Sequence, residues 1–242
     1  MKRLAIVTAI VASLTAPSPA SAQAGDAIKK DQNPFLAVEL RFGPYRPRVD
    51  EGVSGRPYDR AFGDTRRFMV GGEIDWQPIH VRHVGSLGIG GLLGYTRANA
   101  NARFSDGSGD SAETTTFSMW LLSALLVARI DVLARETWVP LVPYAKIGPS
   151  AAFWTASNGS GTVTVGGVEG RGRTFGMTYA VGGMFLLDAI DRQAAKTFAA
   201  EQGVKHTYFF FEYMFAELSG LGQSSAMHVG DRTWTLGLAM EL

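Results

Sequence analysis

The stretch Phe35-Leu-Ala-Val-Glu-Leu-Arg-Phe-Gly-Pro-Tyr45 decides how this chain folds. Leu36, Val38, Leu40 and Phe42 fall on one side of an extended backbone, and Ala37, Glu39, Arg41 and Gly43 fall on the other. Successive side chains of a strand point to opposite faces, so the strict period of two reads as a strand with one apolar face. The opposite face mixes charges with Gly and Ala, whereas a solvated face favours Lys, Glu and Thr. Small residues packed against a few charges are what a narrow barrel lumen needs.

The same pattern recurs on both sides of the next loop. Arg46 to Asp64 is rich in Pro, Gly, Arg and Asp, which is loop chemistry. From Arg67 to Gln77, Phe68, Val70, Ile74 and Trp76 oppose Gly71, Glu73, Asp75 and Gln77. Pro78 to Ser86 reads as a short connection. Leu87 to Thr96 follows, with Leu87, Ile89, Leu93 and Tyr95 facing away from Gly88, Gly90, Leu92 and Gly94. Asn99 to Ala112 is a second polar loop. A fourth strand lies between Thr114 and Arg129, but it is apolar on both faces and its parity stays open.

Arg135 to Pro140 is a short turn before a fifth strand, Leu141 to Trp154. Tyr144, Lys146, Gly148 and Ser150 share one face there, opposite Ala145, Ile147, Ala151 and Phe153. After a Gly/Ser/Thr-rich loop, Thr155 to Gly172, the sixth strand runs from Arg173 to Leu186. It sets Phe175, Met177, Tyr179, Val181 and Phe185 against Gly176, Thr178, Ala180 and Gly182. Asp188 to Gln202 then breaks the rhythm: it is alanine-rich without Gly or Pro and stops at Gly203, a short helix with Asp188 as N-cap. His206 to Leu218 alternates Phe209, Phe211, Tyr213 and Phe215 with Glu212 inside, Ser219 to Gly230 is a loop, and Arg232 to Leu242 is the last strand.

Segments of ~10 residues match tilted transmembrane strands. Long loops follow the first, third, fifth and seventh strands, and shorter connections follow the others. The expected fold is therefore all-β: an eight-stranded antiparallel up-and-down transmembrane barrel over 35–242, with a helix at about 188–203 between strands six and seven. The competing fold is a soluble sandwich or a lipocalin-like barrel.

The N-terminus carries the export reading. Lys2 and Arg3, the apolar run Leu4 to Leu14 and Ala20-Ser21-Ala22 make a signal peptide over 1–22, and 23–34 reads as a periplasmic lead-in. Pro17 and Pro19 interrupt any ordinary helix there. Beyond it no segment reaches the ~20 apolar residues of a spanning helix. Among the 242 residues, 46% are hydrophobic and 19% charged, and the net charge of +1 leaves no electrostatic footprint for nucleic acid. Gly is frequent at 29 residues and Cys is absent, so no disulfide framework or thiolate metal site arises.

At the C-terminus Trp234-Thr-Leu-Gly-Leu-Ala-Met-Glu-Leu242 resembles the alternating terminal strand that the barrel-assembly machinery recognises in outer-membrane proteins. That family prefers a terminal aromatic, usually Phe, and here the residue is Leu242. Phe35 to Leu242 as a whole resembles small eight-stranded barrels such as the transmembrane domain of outer-membrane protein A. Leu36-Ala-Val-Glu-Leu-Arg-Phe-Gly-Pro-Tyr45 and His206-Thr-Tyr-Phe-Phe-Phe-Glu-Tyr213 look like segments of myxobacterial outer-membrane β-barrel proteins. The resemblance implies residence in the bacterial outer membrane, lipid contact, and an assembly signal formed by Trp234, Leu236, Leu238, Met240 and Leu242.

The best constellation of chemistry-bearing residues is Glu39, Arg41, Glu73, Asp75, Lys146 and Glu212, each on the expected lumen face. A charge facing lipid costs about 2–4 kcal/mol for Arg or Lys at the midplane, so charges collect inside. Three functions follow. A salt-bridge network can fill the lumen of a structural or interaction barrel, whose long outer loops or periplasmic helix contact envelope partners. Rearranged charge pairs can instead open a narrow pore for ions or small solutes. Paired carboxylates can also act as general acid and base of a hydrolase, whereas a rim-sited, lipid-modifying enzyme needs a His beside Ser or Asp, for which His228 near Ser224, Ser225 and Asp231 is the one candidate. No catalytic residue, cofactor or metal is assigned. His80 with His83 is a poor metal site without nearby carboxylates. Asp106-Gly-Ser-Gly-Asp110 lacks the Glu that closes a calcium loop. Gly88-Ile-Gly90-Gly91 sits inside a strand and is no dinucleotide fingerprint. Asn158-Gly-Ser160 has the form of a glycosylation sequon. Trp76, Tyr95, Trp138 and Trp234 fall near strand ends, where an aromatic girdle sits, whereas Trp154 has the wrong parity for one.

Overall fold

The computed structural model describes residues 35–51, 53–103, 110–137, 139–159, 161–165, 168–223 and 226–242. The signal peptide, the lead-in, Trp138, Ser160, Ser224, Ser225 and most of the Asp106–Asp110 loop lie outside them.

Eight long strands form the wall: β1 (Leu36–Tyr45), β2 (Arg67–Val81), β3 (Gly85–Arg103), β4 (Asp110–Arg129), β5 (Leu141–Asn158), β6 (Arg171–Leu186), β7 (His206–Glu217) and β8 (Asp231–Glu241). Each pairs antiparallel with its neighbour in sequence, and β1 pairs with β8 from Ala37↔Glu241 to Phe42↔Leu236, which closes the barrel. Closure leaves no unpaired edge in the sheet. The end that carries Leu36 and Leu242 is called the base, and the end that carries the long connections the mouth.

Alternation places the side chains as the period of two demands. Leu40, Phe68, Ile74, Ile89, Leu93, Phe175, Val181, Phe209, Phe211 and Leu238 are exposed on the outside, while Ala37, Glu39, Arg41, Glu73, Lys146, Thr178 and Glu212 are buried within. The parity left open for the fourth strand resolves too. Phe117, Met119, Leu121, Ser123, Leu125, Val127 and Arg129 are buried, and Trp120, Leu122 and Leu126 are exposed. Both faces look apolar because the inner face of β4 packs in an apolar interior cluster.

Several boundaries are corrected by longer strands. β3 runs on through Asn99 to Arg103 and pairs with β4 as far as Asp110, where a loop over Asn99 to Ala112 was expected. β5 continues past Trp154 to Asn158, and its register with β4 is unbroken there, so Trp154 points inward beside Phe117. β2 passes through Pro78 to Val81, with a bulge between Trp76 and Ile79 that accommodates the missing proline donor. The turn expected at Arg135 to Pro140 begins as a short helix, α2 (Val132–Glu136). The first long connection is no open loop, since it holds α1 (Pro57–Phe62).

At the base, a 3-10 turn (Leu187–Ala189) leads to α3 (Arg192–Gln202). Asp188 is not its N-cap. Its carboxylate accepts the Thr207 N–H at 3.1 Å and meets His206 at 2.8 Å, while Asp191 accepts the N–H of Gln193 at 3.0 Å in the capping position. Gly203 ends the helix at φ +73, a left-handed conformation that favours glycine.

Candidate functional site

The barrel interior is the candidate site, and it is built in three layers. Nearest the base, β1, β2, β4, β5, β7 and β8 each turn a charge inward. Arg41 donates to Glu212 at 2.8 Å, Glu39 at 2.7 Å and Glu73 at 2.5 Å. Lys146 bonds Glu39 at 2.8 Å and Glu73 at 2.7 Å, and lies 3.7 Å from Glu212. Arg129 reaches Asp75 at 2.6 Å, Glu39 at 3.0 Å and Glu241 at 3.1 Å. The Tyr208 hydroxyl completes the set by donating to Glu241 at 3.0 Å. All of these side chains are buried, so each charge depends on the others for compensation.

The six charges read from the sequence thus meet one another. Two further members, Arg129 and Glu241, were not among them. Glu241 was on the inner face of the last strand by parity, and Arg129 shares the odd parity of Ser123 on β4. Aromatic rings on glycines support the cations. The Phe210 ring fills the space over Gly237, with Arg41 5.6 Å above it, and the Tyr144 ring lies against Gly182 with Lys146 4.9 Å away.

Glu39, Glu73 and Asp75 bring carboxylate oxygens within 4.8 Å of one another, close enough in principle to share a metal ion. Lys146, Arg41 and Arg129 already donate to those carboxylates, so the arrangement is that of an ion-pair network.

The second layer is a hydroxyl cluster. Ser150 lies 2.7 Å from both Ser123 and Thr178, on β5, β4 and β6. Towards the mouth the third layer is apolar: Met69, Leu92, Phe117, Met119, Leu121 and Met214 pack together. The helix α1 seals this layer, with Tyr58 4.9 Å from Phe62 and edge-on to Phe117 at 5.8 Å. Asp50 accepts the N–H groups of Tyr58 at 2.7 Å and Asp59 at 3.2 Å, capping the helix from outside it. Arg46 to Asp59 at 2.8 Å, Arg48 to Glu217 at 2.6 Å and the Tyr45 hydroxyl to the Val229 carbonyl at 2.8 Å fasten the connection to the rim. Burial pushes the Tyr58 phenol up to about 12.

No family model matches the chain, and no curated protein matches it. Among solved structures it is similar to Ail, the attachment invasion locus protein of Yersinia pestis, solved in complex with the heparin analogue sucrose octasulfate. That likeness has 12% identity and a TM-score of 0.44 over 86% of this chain and 97% of that one. Neisserial surface protein A gives 11% identity and 0.43 over 86% and 96%, and the N-terminal β-barrel domain of Pseudomonas aeruginosa OprF gives 12% and 0.40 over 87% and 100%.

The remaining candidates are dispersed. Trp76 is exposed on the outer wall toward the base, and Trp234 and the Tyr95–Trp120 pair (ring centroids 4.6 Å apart) lie toward the mouth. Trp120 was not singled out because the parity of β4 was unread. His83 pairs with Glu136 at 2.7 Å across two base connections. His228 faces Glu51 at 3.8 Å, while Asp231 accepts from Arg66 at 2.5 Å and from the Arg46 N–H at 2.9 Å. Among the described residues, then, Asp231 serves the rim arginines and His228 has a different carboxylate.

Proposed function

We propose that this chain is an outer-membrane β-barrel with a structural or contact role, its lumen shut and its mouth connections turned outward from the cell. One observation carries the reading: the molecule is inverted, with Leu, Ile, Val and Phe on the outer wall and eight charges buried at its centre. Hydrocarbon demands such a surface, whereas water rewards the opposite one. The base, with α2 and α3, then faces the periplasm. Trp234, Leu236, Leu238, Met240 and Leu242 form the outward edge of the last strand that assembly machinery would read, and α3 and the mouth connections are the surfaces for envelope partners.

Closure is supported by the apolar layer under α1 and the cross-linked charges below it, with about eight strands leaving room only for side chains. The test is single-channel recording of the refolded protein in planar bilayers, with heat-modifiable gel migration as the measure of a folded barrel. A folded, electrically silent barrel is expected. Reproducible conductance steps that change in Glu73→Gln or Lys146→Met would overturn closure and establish a narrow pore.

A further inference from the structure

Four strands of the outer wall, β3 to β6, line up residues in register. One row across them reads Arg97, Ser118, Thr155 and Arg171, and the next row toward the base reads Tyr95, Trp120, Phe153 and Arg173. All of these side chains follow the outward parity of their strands. Among the described residues Arg97 bonds neutral oxygens, Asn99 Oδ1 at 2.9 Å and Thr116 Oγ1 at 3.4 Å. Arg173 lies 5.6 Å over the Phe175 ring, and neither arginine has a carboxylate partner among the described residues. Arg171 pairs with Glu169. A guanidinium at an aromatic belt, with serine and threonine hydroxyls beside it, is a donor set for phosphate oxygens.

Below these rows the same wall is hollowed. After the row Leu93, Leu122, Ala151 and Phe175 comes one of small residues, Gly91 and Ala124, next to Pro149. There the surface drops into an apolar groove of about 670 Å³, walled by Ile74, Trp76, Ile89, Leu126, Ile147 and Met177. From Arg97 to Gly91 is roughly 20 Å of strand, the scale of an acyl chain.

We propose that β3 to β6 form a specific site for one membrane lipid with a phosphate-bearing headgroup, in the leaflet at the mouth end. Arg97 and Arg173, three strands or about 14 Å apart, contact phosphate oxygens at separate points of the headgroup, Ser118 and Thr155 add donors between them, and an acyl chain runs down the wall into the groove at Gly91 and Ala124. Two observations on this side of the wall select a lipid over free phosphate: cationic donors without carboxylate partners among the described residues, and an apolar groove one row below the apolar row Leu93, Leu122, Ala151 and Phe175. The proposal rests on the outer-membrane reading.

The experiment is native mass spectrometry of the refolded protein in detergent with diphosphorylated lipid A, its dephosphorylated form, or diacylglycerol, which has no phosphate. The wild type is expected to retain the phosphorylated lipid at least fivefold more than either other. Arg97→Gln with Arg173→Gln removes that preference. Gly91→Leu, at a position where an added Cβ meets nothing within 4 Å, lowers retention of every lipid by filling the groove without disturbing the wall. Equal retention of the three lipids by the wild type, or variants that behave as wild type, overturns the site. Retention of inorganic phosphate in place of lipid overturns it too. If heat-modifiable migration and bilayer insertion fail in the wild type, the membrane reading falls instead.

Discussion

Arg129 joins three carboxylates from three strands, Glu39, Asp75 and Glu241, and among the described residues it is the cation within ion-pair distance of the last two. Breaking a buried ion pair from one side leaves uncompensated charge, at a cost of about 3–5 kcal/mol. Arg129→Met is therefore expected to lower the unfolding free energy in lipid vesicles by about that amount, measured by urea titration of tryptophan fluorescence. A loss under ~1 kcal/mol would mean that the network contributes little to holding the lumen together. Glu39, Arg41, Glu73, Asp75, Lys146 and Glu212 were legible because each stands out in a clean alternation. Arg129 was not, because the inner face of β4 is apolar for most of its length and a run apolar on both sides has no readable parity. With Arg129 unseen, Glu241 had no visible partner.

At the scale of elements, α1 turns a polar connection into a packed cover. Its sequence, Pro57-Tyr-Asp-Arg-Ala-Phe62, is short and its cap is supplied by Asp50 from outside, so local signals could not show it. The Tyr58 phenol is raised from 10.0 to about 12 by burial. In the unfolded chain it ionises first, so the unfolded state holds fewer protons between those values. The stability contributed by Tyr58 is fully present below pH 10 and lost as pH rises toward about 12. The expected outcome is a loss of stability through this window that is smaller in Tyr58→Phe, read by denaturant unfolding at successive pH values. The eight wall strands were legible, but their ends were not, nor were the two-residue strands Gly161–Thr162, Thr164–Val165 and Val168–Glu169 inside the stretch read as a loop. The mouth ends of β3, β4 and β5 are made of Asn, Ala, Arg, Thr and Ser, whose polarity reads as loop although they continue the ladder.

For the whole molecule, the decisive property is which side of the wall is apolar. Leu40 sits mid-strand on β1 and is 48% exposed. On a water-facing surface Leu40→Arg would change stability by within about 0.5 kcal/mol. In phospholipid vesicles it is expected to cost about 2–4 kcal/mol by urea unfolding, and a neutral result there would contradict lipid contact at that depth. The architecture was readable because period, strand length and loop rhythm agree. The interior was readable only in part, since which charge meets which depends on barrel closure and cross-lumen distance, neither of which alternation encodes.

The seam between β1 and β8 joins the first strand to the last by backbone ladder bonds and by the Thr233 hydroxyl, which donates to the Pro44 carbonyl. Here Arg41 of β1 is tied to Glu212 of β7, and Arg129 of β4 is tied to both Glu39 of β1 and Glu241 of β8. These ties act like spokes in a wheel: unzipping the rim at the seam would break buried ion pairs. The wall is thus latched from within: parting β1 from β8 means pulling Glu39 and Glu241 off one shared guanidinium.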